Sequence, residues 1–247
     1  MKISIITAVY NNESTIKKTI ESVINQTYTD IEYIVIDGKS TDNTLNLVKN
    51  YSENISRIIS ENDEGMYYAL NKGIKLASGE IIGFLHADDF YSNNLIIEKI
   101  ANEFKKSKSD SLYGDLQYVR KADTNKIIRN WKSGEFIFEN LKKGWMPPHP
   151  TFFVKKEIYK KLGVFDTSYK IAADYELITR FLGKYKISTV YLPIVIVKMR
   201  WGGKSNNNIK NIIIKSKEDY KSIKKNEIGG IYTLFLKNFS KIKQFVK

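Results

Sequence analysis

Apolar and polar positions along this chain switch between two periods, and the switching lays out its first hundred residues. Residues 3–9 read as a strand, and Ile16, Ile20, Val23 and Ile24 then fall on one helical face. The alternation repeats. Residues 33–36 form a strand, Ser40 or Thr41 is placed to cap a helix carrying Leu45 and Val48, and residues 57–60 form a short strand. Met66, Ala69, Leu70, Gly73, Ile74 and Ala77 mark one face of a helix leading into the apolar run 81–85, which reads as a strand buried on both faces. Four strand-helix units in succession predict an α/β fold with a doubly wound, mostly parallel, Rossmann-like sheet.

Beyond Lys106 the rhythm changes. Residues 111–120 and 126–131 read as strands joined by a polar stretch, a small antiparallel addition to the sheet. Residues 135–142 suit a short helix, and Pro147, Pro148 and Pro150 force an extended segment. A helix follows over 173–182 and a strand over 190–197. No repeat or low-complexity linker interrupts 1–203, which reads as one domain, with 204–247 as a basic helical C-terminal extension.

Composition narrows the picture. The chain has 247 residues, no cysteine and two histidines, His86 and His149, which removes disulfides and thiolate chemistry and makes a histidine zinc site a poor fit. No stretch has the roughly 18 consecutive apolar residues of a membrane span, and the start does not read as a signal peptide, so a cytoplasmic location is expected. Of the net charge of +13, the segment from Lys204 onward carries +8, eleven Lys against Glu218, Asp219 and Glu227. That tail suits an anionic lipid surface, nucleic acid, or no partner beyond water.

The chemistry gathers where the strands end. In an open α/β sheet, ligands bind at the C-terminal lip of the strands. Tyr10 and Asn11 follow the first predicted strand, Asp37 the second, Asn62-Asp63-Glu64-Gly65 the third, and Asp88-Asp89 the fourth. An aromatic there stacks on a planar base, and a carboxylate accepts an imide or amide N–H. Each also has a plainer reading: Tyr10 as packing, Asp37-Gly38 as a turn, and Asp88-Asp89 as turn and helix-cap residues before a helix opened by Asn93 or Asn94. Adjacent carboxylates repel unless water, a donor or a cation offsets them, and hard oxygen ligands favour Mg²⁺ or Mn²⁺. Neither a Gly-x-Gly-x-x-Gly after a strand nor a P-loop occurs, so a diphosphate would be held through a bridging cation.

Five motifs stand in order: Thr7–Asn11 (Thr-Ala-Val-Tyr-Asn), 35–44 (Val-Ile-Asp-Gly-Lys-Ser-Thr-Asp-Asn-Thr), 62–73 (Asn-Asp-Glu-Gly-Met-Tyr-Tyr-Ala-Leu-Asn-Lys-Gly), 87–89 (Ala-Asp-Asp) and 172–177 (Ala-Ala-Asp-Tyr-Glu-Leu). Together they resemble family 2 glycosyltransferases with the GT-A fold, of the bacterial polysaccharide and O-antigen type. The resemblance implies that Tyr10 stacks on the base of a nucleotide-sugar, that Asp37 accepts from that base, and that Thr7, Asn11, Asp63 and Lys72 belong to the same donor site. It implies that Asp88 and Asp89 stand at the Asp-x-Asp metal motif, with Asp89 the direct ligand, and that His86 replaces the motif's first acid. Arg200-Trp201-Gly202-Gly203-Lys204 resembles a flexible loop that closes over the diphosphate, or is an ordinary basic turn.

Asp174 also has a case of its own. On a helix starting near Ala173 it shares a face with Leu177, Ile178 and Phe181, so it points inward, or it is simply an acid at a helix start. Glu176 is expected to point elsewhere, in a surface ion pair with Arg180. The resemblance makes Asp174 the general base. His149 lines the acceptor side or is structural. The expectation is an inverting, metal-dependent transferase using a nucleoside diphosphate sugar, UDP-linked, and a glycan or lipid-linked oligosaccharide acceptor in surface polysaccharide synthesis. A basic nucleic-acid-binding protein is the alternative, weakened because the lysine surplus lies outside the predicted fold and no RNA-binding signature appears. Residues 229–247, with Ile231, Tyr232, Phe235, Leu236, Phe239, Ile242 and Val246 at helical spacing and Lys237, Lys241, Lys243 and Lys247 between them, suit a helix in a membrane interface at the inner face of the cell membrane; packing on the domain or in a homodimer is the alternative.

Overall fold

The computed structural model describes residues 1–202 and 209–243; Gly203, Lys204, Val246 and Lys247 lie outside the described residues, as do the side chains of Lys241, Ile242 and Lys243. Strands β1 (Ile3–Val9), β2 (Ile31–Asp37), β3 (Arg57–Ser60) and β4 (Ile81–Phe84) are parallel, linked by α1 (Ile16–Ile24), α2 (Thr44–Lys49) and α3 (Met66–Leu76). Val9 pairs with Asp37, and Asp37 with Ser60, so the three strand ends lie level. Side chains alternate between two cores. Ile3, Ile5 and Val35 join Ile16, Ile20 and Val48 on one face, while Ile6, Ile34 and Ile36 join Leu70 and Ile74 on the other.

The remaining elements are β5 (Asp89–Tyr91), α4 (Ile96–Ser107), β6 (Ser111–Val119), β7 (Ile127–Trp131), α5 (Phe138–Lys142), β8 (Phe153–Lys155), α6 (Lys156–Leu162), α7 (Ala173–Ile178), β9 (Thr189–Arg200), α8 (Ile209–Lys225) and α9 (Ile231–Lys243). Among the described residues the strands form one sheet in the order β3-β2-β1-β4-β8-β6-β9-β5, with β7 antiparallel on β6. β8 runs antiparallel to both β4 and β6, and β9 returns parallel to β6. The join at β4 is close: a Cβ on Gly83 would sit 2.2 Å from the Phe153 ring.

Several local expectations change. Neither Ser40 nor Thr41 caps α2, because Asp37 captures Ser40 and the helix starts later, where the Asp42 carboxylate accepts the Thr44 N–H at 3.0 Å. Asp89 opens strand β5, which exists because residues 89–91 pair with 197–199, a hundred positions away. The helix expected over 173–182 keeps α geometry only to Ile178 and continues as a π-helical turn through Thr179–Lys184. Thr179 bonds back to the Tyr175 and Glu176 carbonyls and across to Ser222, which loosens the helical ladder there. The C-terminal helices are part of the body. Ile223 and Ile228 are buried with Ala172 and Tyr175, and Leu234 of α9 packs on the same cluster.

Candidate active site

The loops after β1 and β2 lock together at the level ends of these strands. The Asn11 N–H donates to Ser40 Oγ at 2.9 Å, Asn11 Oδ1 accepts the Thr41 N–H at 2.8 Å, and the Gly38 N–H donates to the Val9 carbonyl. Tyr10 projects from this platform, 54% exposed, its ring over Gly38. Asp37, expected to meet a base directly, is fully buried: it accepts from the Ser40 N–H and Oγ and from Ser60 Oγ at 2.6 Å. Its carboxylate ties the loop after β2 to the end of β3. Thr7 also departs from expectation, because it is buried in mid-strand and its hydroxyl bonds the Leu85 carbonyl at 2.8 Å.

Lys72 on α3 reaches back to Asp63 at 2.8 Å and Glu61 at 2.5 Å. Burial works against its charge, yet the two carboxylates outweigh it and its pKa is raised. Between them lies Gly65, whose φ of +147° opens α3 in a conformation that other residues rarely adopt.

The loop joining β4 to β5 is pinned at three successive carbonyls. Thr19 Oγ1 donates to Ala87 O at 2.9 Å and to Asp89 O at 2.7 Å, and the Arg200 guanidinium donates to Asp88 O. This rigid loop divides the acid pair. Asp88 is half-buried, with no side-chain hydrogen bond or ion pair among the described residues. Asp89 is fully buried with neither carboxylate oxygen hydrogen-bonded, and burial, reinforced by Asp88, pushes its carboxyl well above the usual range. Pairing of β5 with β9 turns the Asp89 carboxylate inward, and Asp88 is the less buried acid of the two. Arg200 is corrected too. It is 6% exposed, lies over the Phe90 ring at 5.1 Å, and grips the loop instead of reaching into solvent.

The donor chemistry at Asp88 fits a hard divalent cation, with one condition. Among the described residues no three His, Asp or Glu side chains are grouped to hold an ion. Mg²⁺ and Mn²⁺ sites of one or two carboxylates are completed by substrate phosphates and water, so Asp88 would hold the ion together with a diphosphate.

Opposite this loop stands Asp174, in the first turn of α7. The Tyr67 hydroxyl bonds the Ile171 carbonyl at 2.7 Å and lies 3.4 Å from Asp174 Oδ1. His149 stacks on Phe84 with ring centres 5.7 Å apart, and its ring lies 5.5 Å from that of His86. Both His149 nitrogens are buried and unpartnered, and burial pushes the imidazole down to about 4. Burial alone would raise Asp174. His149, Lys215, the Tyr175 N–H and Lys237 outweigh it and hold the carboxyl below its usual range. Burial lowers His86, and Asp88 and Asp174 both oppose that shift, so the two carboxylates share the neighbourhood of one imidazole.

Two residues that pattern reasoning overlooked hold this helix. Glu218 of α8 accepts the backbone N–H groups of Lys170, Ile171 and Ala172 at 2.7, 2.9 and 2.9 Å, just before Asp174. Tyr67 supports the same turn from α3, and neither link leaves a local sequence signal. Glu176 does pair with Arg180, at 3.3 Å, but not on the surface: it is fully buried and also meets Lys225 at 3.3 Å.

The sequence profile of the family described as Glycosyl transferase family 2 matches residues 4–171. A "PGL/p-HBAD biosynthesis glycosyltransferase" of Mycobacterium bovis (strain BCG / Pasteur 1173P2) is 28% identical over 217 residues, covering 86% of this chain and 82% of the relative. The "Uncharacterized glycosyltransferase RT0329" of Rickettsia typhi is 31% identical over 217 residues, covering 80% and 63%. Among solved structures, S. aureus TarS superposes with a TM-score of 0.72 at 20% identity over 90% of this chain and 40% of TarS. TarS 1–349 in complex with UDP-GlcNAc gives 0.70 at 18% identity, over 92% of this chain and 65% of that one. The mannosyltransferase PcManGT from Pyrobaculum calidifontis, in complex with GDP-Man and Mn²⁺, gives 0.63 at 18% identity, over 91% and 63%. These structural likenesses are likenesses of fold.

Proposed function

The chain belongs to glycosyl transferase family 2, and from that premise we propose an inverting transfer of a sugar from a nucleoside diphosphate donor, UDP-linked, to a hydroxyl of a lipid-linked glycan at the inner face of the cell membrane. The observation that carries this reading is that Asp88 and Asp174, from separate elements, both lie close enough to His86 to act on it, and His86 lies 5.5 Å from His149. One carboxylate is open to a cation and a diphosphate. The other is held ionised at a helix start. Neighbours that bind UDP-GlcNAc or GDP-Man support the donor class, without choosing the base.

Tyr10 stacks on the base over the Gly38 platform, while Asp37 fixes that platform from beneath. The acceptor hydroxyl oxygen forms a bond to the anomeric carbon as the bond to the diphosphate oxygen breaks, and the departing diphosphate takes the electron pair. Asp174 receives the hydroxyl proton. One displacement inverts the anomeric centre. Asp88 would hold Mn²⁺ or Mg²⁺ together with the diphosphate, and such an ion would neutralise the charge developing there. Asp89, enclosed and with its carboxyl pushed above the usual range by burial and by Asp88, shapes the loop and stays out of the transfer.

A thermal-shift panel of nucleoside diphosphate sugars with and without Mn²⁺ tests the donor, since a ligand at about 100 times its Kd adds about 2.7 kcal/mol. Asp174→Asn is expected to lower transfer by about 10² to 10⁴ while the donor-dependent shift stays. No shift with any donor, or a donor shift lost together with transfer in Asp174→Asn, would refute the assignment.

A further inference from the structure

One face of α8 is bonded rung by rung to the segment that leads into Asp174. Lys225 meets Asp166 at 2.8 Å, Lys221 donates to Ser168 Oγ at 3.2 Å, and Glu218 accepts the N–H groups of Lys170, Ile171 and Ala172. Residues 218, 221 and 225 share that face by helical spacing, so a straight helix splints a loop that has no regular hydrogen bonding of its own between α6 and α7.

The rung at Glu218 differs from the others in kind. Its Oε1 takes the Lys170 N–H at 2.7 Å and its Oε2 takes both the Ile171 and Ala172 N–H at 2.9 Å, so the two oxygens are matched to three donors of the backbone itself. Ile171 is gripped at both of its polar ends, because its carbonyl accepts the Tyr67 hydroxyl from α3 at 2.7 Å. Asp174 stands three residues on, half-buried, where a proton acceptor has to lie within hydrogen-bond reach of the hydroxyl it serves. We propose that Glu218 is a positioning residue for the transfer, fixing through these three N–H groups the place at which Asp174 meets the acceptor hydroxyl. This deepens the proposed function and rests on it. Tyr10 and Asp88, on the donor side, follow β1 and β4, and Glu218 bonds neither of their loops, so its influence falls on the rate of transfer and not on donor affinity.

Glu218→Gln is the informative change. A carboxamide has one acceptor oxygen, and its NH₂ group would face at least one of the three backbone donors, so the turn has to shift. A misplacement of about 1 Å can cost about 10²-fold, and kcat for the nucleoside diphosphate sugar giving the largest thermal shift, with water as acceptor, is expected to fall by about tenfold to a hundredfold. Donor KM and the donor thermal shift should stay. Burial raises Asp174, and His149, Lys215, the Tyr175 N–H and Lys237 hold it down; a turn that slips weakens that hold, so the acid limb of the kcat profile should move to higher pH. The amides of 170–172 should exchange faster with deuterated water. Lys221→Ala, which removes only the neighbouring rung, should keep the wild-type kcat and acid limb. A folded Glu218→Gln enzyme with wild-type kcat and acid limb, a loss that appears in donor affinity, or an equal loss in Lys221→Ala overturns the proposal. Should Glu218→Gln unfold, Glu218→Asp, which shortens the reach but keeps both oxygens, is read by the same criteria. Absence of donor turnover in the wild type sinks the transferase reading alone, and amide exchange then decides for Glu218: unchanged exchange at 170–172 in the variant removes its hold on the turn.

Discussion

Lys237→Met asks whether the C-terminal helices belong to the catalytic body. Lys237 and Asp219 are 2% and 1% exposed and lie 2.5 Å apart, so the pair is enclosed between α8 and α9 and roofed by Tyr175. Removing one member leaves the Asp219 carboxylate buried without its cation, a change that typically costs about 3–5 kcal/mol. In a chain of this size each kcal/mol moves the melting temperature by roughly 2–4 °C, so a fall of about 6–20 °C is expected in calorimetry. Lys237→Met combined with Asp219→Asn removes both charges and is expected to restore most of the loss, since the charge and not the volume is at issue. Truncation after Asn226 removes the same cation together with Leu234, and should destabilise likewise. If Lys237→Met costs under about 1 kcal/mol, well below the range for a broken buried pair, α9 is not seated where the geometry puts it, and the lysine expected to face lipid head groups is no internal anchor.

Three further outcomes follow from the corrected site. Glu176→Gln removes a fully buried charge from Arg180 and Lys225, and urea denaturation should show a loss of about 1–3 kcal/mol, discounted because Lys225 is itself 44% exposed. Asp88→Asn should abolish the Mn²⁺-dependent part of the donor thermal shift and Asp89→Asn should keep it; the opposite pattern would return the metal to Asp89. His149 sits at about 4 when folded against 6.5 unfolded, so the folded state disfavours its proton: the stabilisation is complete above about pH 6.5 and is lost as pH falls toward 4. The slope in that window approaches about 1.4 kcal/mol per pH unit, and His149→Gln should flatten it in denaturation curves taken across it.

The layout of the first hundred residues was legible because each element carries its own period. Ile16, Ile20 and Val23 are buried as the spacing required, and the 57–60 strand has the predicted bounds. What escaped was decided by partners far off in sequence. β5 forms on β9, and nothing in Asp-Asp-Phe-Tyr announces that Asp89 turns inward while Asp88 stays out. Thr7 lies in a motif, but its hydroxyl is consumed by Leu85, 78 positions on. Glu218 meets residues 170–172 across 46 to 48 positions, where helical spacing has no reach. Glu176 illustrates a subtler limit. Its i,i+4 partner was legible, yet the spacing says nothing of what covers the pair, and α8 covers it with Lys225.

The state of Asp174 carries a consequence for the proposed chemistry. A carboxyl held below its usual range is a weaker base in the resting enzyme, which at first sight opposes its role. The opposition disappears when the timing of proton transfer is considered. A sugar hydroxyl is far too weak an acid to lose its proton beforehand; it acidifies only as its oxygen bonds the anomeric carbon, and by then any ionised carboxylate is a sufficient acceptor. What the site must provide is a carboxylate that is never protonated at working pH and never displaced from the hydroxyl's path. His149, Lys215, the Tyr175 N–H and Lys237 supply the first condition, and Glu218 and Tyr67 the second. Lys215, Glu218 and Lys237 lie on the two C-terminal helices. The segment that looks like an appendage in the sequence therefore contributes to both the charge and the position of the group that receives the proton.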